Sequence, residues 1–388
     1  MIKTSVKEKE MKKERIYVCH TFYHVYIAVL KECNLPMEKR GGATLILSTM
    51  SNDFGNLKER AKCCGLFEEV LEYHEKEDTC FPQLQKYHVD RGNIVINMLA
   101  RIKYTKMLGK LQEPYIPVNF KEYKDIYVFC DSDPIGYYLS YKKIYYHALE
   151  DGLDCIKYYD TARYDNRGHF ELKAKLAGWN WIFIQNGFAK YCLDMEVNNI
   201  ACLPHPCEKY IEKPREELVA GIREEDKHLI VEVFMENVDA LMEQIEAADC
   251  TAGEDYPSGM VGEKKATKTN EKNTKKVLLL TEPLCDLETR ERLFRDIIEE
   301  YALDAQVFIK PHPRDLLDYK TLFHDHIVIE GKFPMEVMNF IPGIRWNKVI
   351  TVFTVPDSIK NTDEVLFLGE DFMDKYEAPE LHRQNESI

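Results

Sequence analysis

Lys276–Asp315 reads KVLLLTEPLCDLETRERLFRDIIEEYALDAQVFIKPHPRD, and this stretch decides the fold class. Lys276–Leu280 is a near-continuous apolar run, as expected of a strand covered on both faces. Leu287–Tyr301 places Leu, Phe and Ile at helical spacing among Glu and Arg, an amphipathic helix. Ala305–Lys310 returns to strand. Strand, helix and strand in this order imply a mostly parallel sheet covered by helices.

The same alternation extends outward. Downstream, Ile327–Glu330 reads as strand and Pro334–Phe340 as a helix with proline in its first turn. Val349–Phe353 and Glu364–Leu368 read as strands. Upstream, residues 250–275 are rich in Gly, Thr, Asn, Lys and Glu and poor in large apolar residues, a flexible linker. Pro214–Ala248 is helical, with Leu218, Ile222, Leu229, Val233, Leu241 and Ile245 at helical spacing. Before it, Ile16–Cys19, Ala43–Leu47, Glu69–Leu71, Asp125–Cys130 and Ile144–Ala148 read as strands. Helical patterns over Asn56–Cys64, Asn93–Leu111 and Asp133–Tyr141 separate them. The expected organisation is a flexible terminus (1–14), an N-terminal Rossmann-like domain (15–200), a helical connection (201–249), the linker (250–275) and a C-terminal Rossmann-like domain (276–380).

Composition narrows the function classes. The 388 residues are 45% hydrophobic and 30% charged, ordinary for globular domains, with a formal net charge of −14. That charge argues against a nucleic-acid partner, which needs clustered Lys and Arg. The twelve cysteines are too sparse for a disulfide scaffold and none is spaced CxxC, which points to a reducing, cytoplasmic compartment. The mixed Lys, Arg and Glu of residues 1–15 and the lack of an eighteen-residue apolar window lead to the expectation of neither a signal peptide nor a membrane span. The terminal Lys3, Lys7, Lys9, Lys12, Lys13 and Arg15 leave peripheral contact with an anionic inner-membrane surface open beside the plainer reading of a solvated tail.

Three motifs at strand ends carry candidate chemistry. In Lys310-Pro311-His312-Pro313-Arg314, two prolines stiffen the loop around an imidazole, and Lys310 and Arg314 supply positive field for a phosphate. Glu150-Asp151-Gly152 follows the YYHAL strand and puts a carboxylate at a strand's carboxyl end, where open α/β sheets bind ligands; Asp-Gly is equally a turn dipeptide. Asp286, in TEPLCD, reads both as the cap of the following helix and as a second carboxylate near a strand end. Asp131-Ser132-Asp133 matches an Asp-x-Asp metal site, but Asp133 also precedes Pro134 as an N-cap would, and no metal is expected. His205, in LPHPCE, lacks a strand of comparable quality before it.

These motifs, with the opening VCHTFYHVYIAVLK, resemble the bacterial lipooligosaccharide sialyltransferases of glycosyltransferase family 52 and the related polysialyltransferases. The resemblance implies a GT-B type α/β fold, two Rossmann-like domains facing each other across a cleft. It implies an inverting glycosyltransferase that moves a sialic-acid-type sugar from a CMP-sugar donor to a hydroxyl of a cell-surface glycan, lipooligosaccharide or capsule, without a cofactor. His312 would be the general acid or the phosphate partner of the departing CMP, and Asp151 or Asp286 the general base. Lys310, Pro313 and Arg314 would face the nucleotide, and Glu336, with Glu330 as rival, would hold its ribose or base. The family's paired serines are absent; Thr354 and Ser358 stand in for them near Thr351–Ser358. The resembling family includes domain-swapped dimers, so a homodimer is one assembly to test. Competing readings are another GT-B transferase, moving Kdo or a polyol phosphate, and a non-catalytic nucleotide-sugar-binding protein.

Overall fold

The computed structural model describes residues 12–129, 131, 133–152, 156, 168–203, 206–250, 275–303 and 305–382. Residues 1–11 of the expected flexible terminus, 251–274 of the expected linker, Cys130, Ser132 and His205 lie outside the described residues. The chain divides into two compact units, one through Asp226 and one from Lys227.

The first unit is a seven-stranded sheet of β1 (Lys13–Cys19), β2 (Ala43–Ser48), β3 (Phe67–Tyr73), β4 (Tyr123–Phe129), β5 (Tyr146–Leu149), β6 (Cys192–Val197) and β7 (Tyr210–Glu212). Their order is β3-β2-β1-β4-β5-β6-β7, with every pairing parallel. All six residues of β2 are buried, which is why its sequence is apolar rather than alternating. The order reverses between β1 and β4, so the carboxyl ends of these two strands flank a topological switch point. Helices α1 (Phe22–Cys33), α2 (Leu57–Cys63), α3 (Ile94–Leu111) and α4 (Pro134–Lys142) follow successive strands or lead into them. Thr21 caps α1 by accepting the His24 N–H at 3.2 Å.

Two expectations need correction here. Arg15 does not face a membrane: it is buried and forms a forked pair with buried Glu32, at 2.8 and 3.0 Å, to which Tyr17 also donates at 2.8 Å. Residues 201–226, expected in a helical connection, lie with the first unit because Tyr210–Glu212 pairs with Met195–Val197 as an added edge strand.

The second unit is a five-stranded parallel sheet of β8 (Lys275–Leu280), β9 (Ala305–Lys310), β10 (Ile327–Val328), β11 (Lys348–Thr351) and β12 (Val365–Phe367), ordered β10-β9-β8-β11-β12. Val277 and Leu279 of β8 pack with Leu293, Phe294 and Ile297 of the Leu287–Tyr301 helix in its core. The switch point lies between β8 and β11. Each unit thus repeats one plan, with its crevice at the carboxyl ends of its central strands. Among the described residues no helix is long and apolar enough to cross a membrane.

Candidate active site

At the switch point of the first sheet, β1 runs into His20 and the first turn of α1 presents His24. His24 is buried, and its ring lies flat on Phe129, the last residue of β4, with centroids 4.3 Å apart and planes 5° apart. Its Nδ1 accepts the His20 backbone N–H at 3.0 Å, so its proton sits on Nε2 and is donated to Asp151 Oδ1 at 2.5 Å. Burial lowers the pKa of His24 and outweighs the opposing pull of Asp151. The pair is therefore a neutral imidazole donating to a carboxylate at the end of β5.

His20 behaves oppositely. Burial disfavours its charge, but Glu75 and then Asp133 outweigh burial and raise its pKa to about 9. Its Nε2 lies 2.7 Å from Glu75 Oε2 and 3.4 Å from Asp133 Oδ2. Glu75 also accepts from Ser48 Oγ at 2.9 Å and from the Ile135 N–H at 2.6 Å. Asp133, at the N-cap position of α4, makes no capping bond with its side chain; Glu75 caps the helix from a neighbouring segment. Asp131 is buried and accepts the Asn186 N–H at 2.6 Å and the Tyr146 hydroxyl. The Asp-x-Asp pattern is thus explained by two separate anchoring roles. Glu150, beside Asp151, turns inward to accept the Asn198 N–H at 2.6 Å, and burial raises its pKa.

In the second unit the KPHPRD loop leaves β9. Lys310 is buried, donates to the Pro311 carbonyl at 2.8 Å and lies 4.0 Å from the centroid of the Phe333 ring. Burial pushes its pKa down to about 7, against the pull of Glu336. Glu336 is raised by burial, opposed by its own backbone amide and by Lys310. His312 donates its backbone N–H to Thr281 Oγ1 at 3.2 Å, and its Nδ1 accepts the Arg314 N–H at 3.2 Å. Nε2 therefore carries the ring proton. Burial first, then Arg314 and Lys310, lowers its pKa to about 4. His312 is a neutral hydrogen-bond donor at neutral pH. Half-buried Pro313 and exposed Arg314 complete the loop.

The loop is held from below by residues that sequence reading passed over. The Asp315 side chain is fully buried and pairs with Arg290 at 2.5 Å, while accepting from Tyr319 Oη at 2.8 Å. Arg290 also donates to the carbonyls of Leu284 and Cys285, tying the exit of β8 to the exit of β9. Glu282 fills the turn after β11, accepting from the Thr354 N–H and hydroxyl, each at 2.7 Å, from Thr351 Oγ1 at 3.2 Å and from the Phe353 N–H at 3.1 Å.

Two expected nucleotide contacts and one expected base are placed differently. The Thr354 hydroxyl points to Glu282, and the Ser358 hydroxyl turns back to the Val355 carbonyl at 2.8 Å. Asp286 caps the Leu287–Tyr301 helix, Oδ1 accepting the Glu288 and Thr289 N–H groups at 3.0 Å and Oδ2 the Thr289 hydroxyl at 2.8 Å. Those bonds hold its pKa below the usual range. Glu330, the rival to Glu336, is exposed and pairs with Lys320 at 2.5 Å. Of the residues sequence reading missed, His20 and His24 carried a usable signal: two histidines flank the Thr21 cap of a strand-to-helix turn at a strand's carboxyl end.

Residues 257–356, which include the KPHPRD loop, Glu282 and Glu336, match glycosyltransferase family 52. The likeness is to glycosyltransferase family 52. A curated Haemophilus influenzae protein, described as uncharacterized, is 31% identical over 97 residues, which is 24% of this chain and 31% of that protein. The chain thus spans about a third of the length of the curated relative it matches. In fold the chain is similar to an α/β-galactoside α-2,3-sialyltransferase from Photobacterium phosphoreum, at 12% identity and a TM-score of 0.50, covering 92% of this chain and 91% of that one. A sialyltransferase GT-B domain from Photobacterium damselae gives 11% identity and a TM-score of 0.44 over 91% and 90% of the two chains. The fold is of the α/β, GT-B type, two Rossmann-like units in succession, each with a crevice at its strand ends.

Proposed function

We propose that the protein is a family 52-type glycosyltransferase that moves a sialic-acid-type sugar, with inversion, from a CMP-sugar to a hydroxyl of a cell-surface glycan in the cytoplasm. The observation that carries this reading is the Asp151 carboxylate held at 2.5 Å by the Nε2–H of neutral His24 at the switch point of the first sheet. A carboxylate so oriented is a general base for an acceptor hydroxyl. As the bond from the anomeric carbon to CMP breaks, negative charge grows on the phosphate. The neutral Nε2–H of His312 and the cationic Arg314 stabilise it. His312 serves as phosphate partner rather than proton donor, because its pKa of about 4 leaves it unprotonated at neutral pH. Glu336 and Lys310 form the adjoining nucleotide wall, and Asp286 is assigned to the helix cap. No metal is assigned a role; retention of full activity in EDTA tests that point.

The test is donor screening by mass spectrometry, with CMP-sialic acid, CMP-Kdo and CDP-glycerol offered to the purified chain with and without a galactoside acceptor. Release of CMP with acceptor-dependent sugar transfer is expected from the first donor. Turnover of CMP-Kdo or CDP-glycerol alone would move the protein to another GT-B chemistry. One observation weighs against turnover and leaves the reading of a non-catalytic nucleotide-sugar-binding protein to be tested: Glu282 takes the Thr354 N–H, which then cannot stabilise charge on a departing phosphate. CMP binding in calorimetry without donor turnover would establish that alternative.

A further inference from the structure

A pocket of ≈ 370 Å³ lies in the first unit among α3, the end of α4 and the residues that lead into β5 and β6. Lys143 precedes β5 and Lys190 precedes β6, so the pocket sits at the amino ends of strands whose carboxyl ends carry Asp151. The four residues of β5 alone put roughly 13 Å between the two ends. It is therefore separate from the candidate active site.

The chemistry of its lining points to one class of ligand. Lys106, Lys143 and Lys190 converge on it in a chain of net charge −14, and none has an acidic partner among the described residues. Lys142, next in sequence to Lys143, is by contrast held by Glu113 at 2.5 Å. Trp179 lines the pocket as an exposed residue, and the Trp181 ring packs edge-on against it with centroids 5.8 Å apart. Ser140 lies at the pocket wall, 3% exposed, with its hydroxyl oxygen turned away from solvent. An indole face takes the C–H face of a sugar ring, and the lysines take an anion. A membrane surface is flat and would leave a pocket of ≈ 370 Å³ unfilled. We infer that this pocket is a second, non-catalytic site for an acidic saccharide, a sugar that carries a carboxylate or phosphate.

Tryptophan emission of the full chain tests the inference, since Trp346 is buried in the second unit and Trp179 and Trp181 are exposed. The probes are α-2,3-sialyllactose, uncharged lactose and phosphatidylglycerol vesicles. Sialyllactose is expected to give a saturable change, with lactose at least about tenfold weaker. The Lys143→Glu/Lys190→Glu double variant should lose about tenfold or more in affinity, and binding should weaken with added salt. Trp179→Ala should weaken binding while leaving the melting temperature unchanged, which separates a ligand contact from a folding defect. The Asp151→Asn variant should titrate like the parent chain, so failure of the catalytic proposal and failure of this one are distinguishable. An equal response to lactose, or an unchanged affinity in the double lysine variant, would overturn the inference. Vesicle binding lost in that variant, without a saccharide response, would overturn it in favour of a membrane contact.

Discussion

His24 spends its one ring proton on Asp151, and its other nitrogen is already taken by the His20 amide. It cannot shuttle a proton without breaking one of these bonds, so its work is to aim the carboxylate. Asp151→Asn is expected to cut the transfer rate by roughly 10²- to 10⁴-fold, the usual worth of a general base, with donor KM little changed. His24→Ala should cost less, and His24→Gln, which keeps an N–H donor, should recover part of the loss; steady-state kinetics on the three variants checks the order. His312→Ala should fall in the same range as Asp151→Asn, because a preorganised donor on a leaving phosphate is lost. Asp286 separates cap from base. Asparagine caps a helix as well as aspartate does, so Asp286→Asn should hold both activity and melting temperature, whereas Asp286→Ala should lower the melting temperature. A collapse of activity in Asp286→Asn with the fold intact would return the base role to Asp286.

At the scale of elements, Glu282 joins the end of β8 to the turn after β11 by accepting from Thr351, Phe353 and Thr354. Truncation to alanine strands these buried donors and should destabilise the second unit by on the order of 1–3 kcal/mol in urea unfolding. Glu282→Gln keeps an oxygen where Oε1 accepts most of the bonds and removes the charge beside the proposed phosphate position. It should stay near parental stability and lower donor KM several-fold; an unchanged KM would place the phosphate elsewhere. Strands such as β1, β2, β8 and β9 were legible because central strands of parallel sheets are covered on both faces and read as apolar runs. β6 (CLDMEV) and β7 (YIE) were not: Leu193, Ile211 and Glu212 are exposed, so no apolar run marks them. The KPHPRD and EDG motifs were legible as candidate sites because charged residues interrupt apolar strands there. Glu282, Glu75 and Arg290 were not, since a buried polar hub is defined by partners distant in sequence. Thr354 and Ser358 fitted the pattern of a phosphate turn, yet their hydroxyls serve Glu282 and Val355, a pairing no local spacing announces.

At the scale of the whole molecule, the two units carry buried cations with opposite responses to pH. His20 has a folded-state pKa raised to about 9 from an ordinary value of 6.5. Its contribution to stability is complete below about pH 6.5 and is lost as pH rises towards 9, because the folded state then holds the extra proton. Lys310 has a folded-state pKa lowered to about 7 from 10.5. Between those values the unfolded chain binds the extra proton, so the second unit gains stability as pH rises from about 7 to 10.5. Each effect is at most on the order of a few kcal/mol at about 1.4 kcal/mol per pKa unit. The groups facing His20 are Glu75, Asp133, His24 and Asp151, and those facing Lys310 are Glu336 and His312. Calorimetry from pH 6.5 to 9 is therefore expected to show His20→Gln less stable than the parent at pH 6.5, with the gap closing by pH 9. Lys310→Met should be more stable than the parent at pH 7, its advantage shrinking as pH climbs. If both variants instead kept a constant offset across that range, neither cation would titrate as its surroundings require, and the charge on His20 would lose its place beside the Asp151 base.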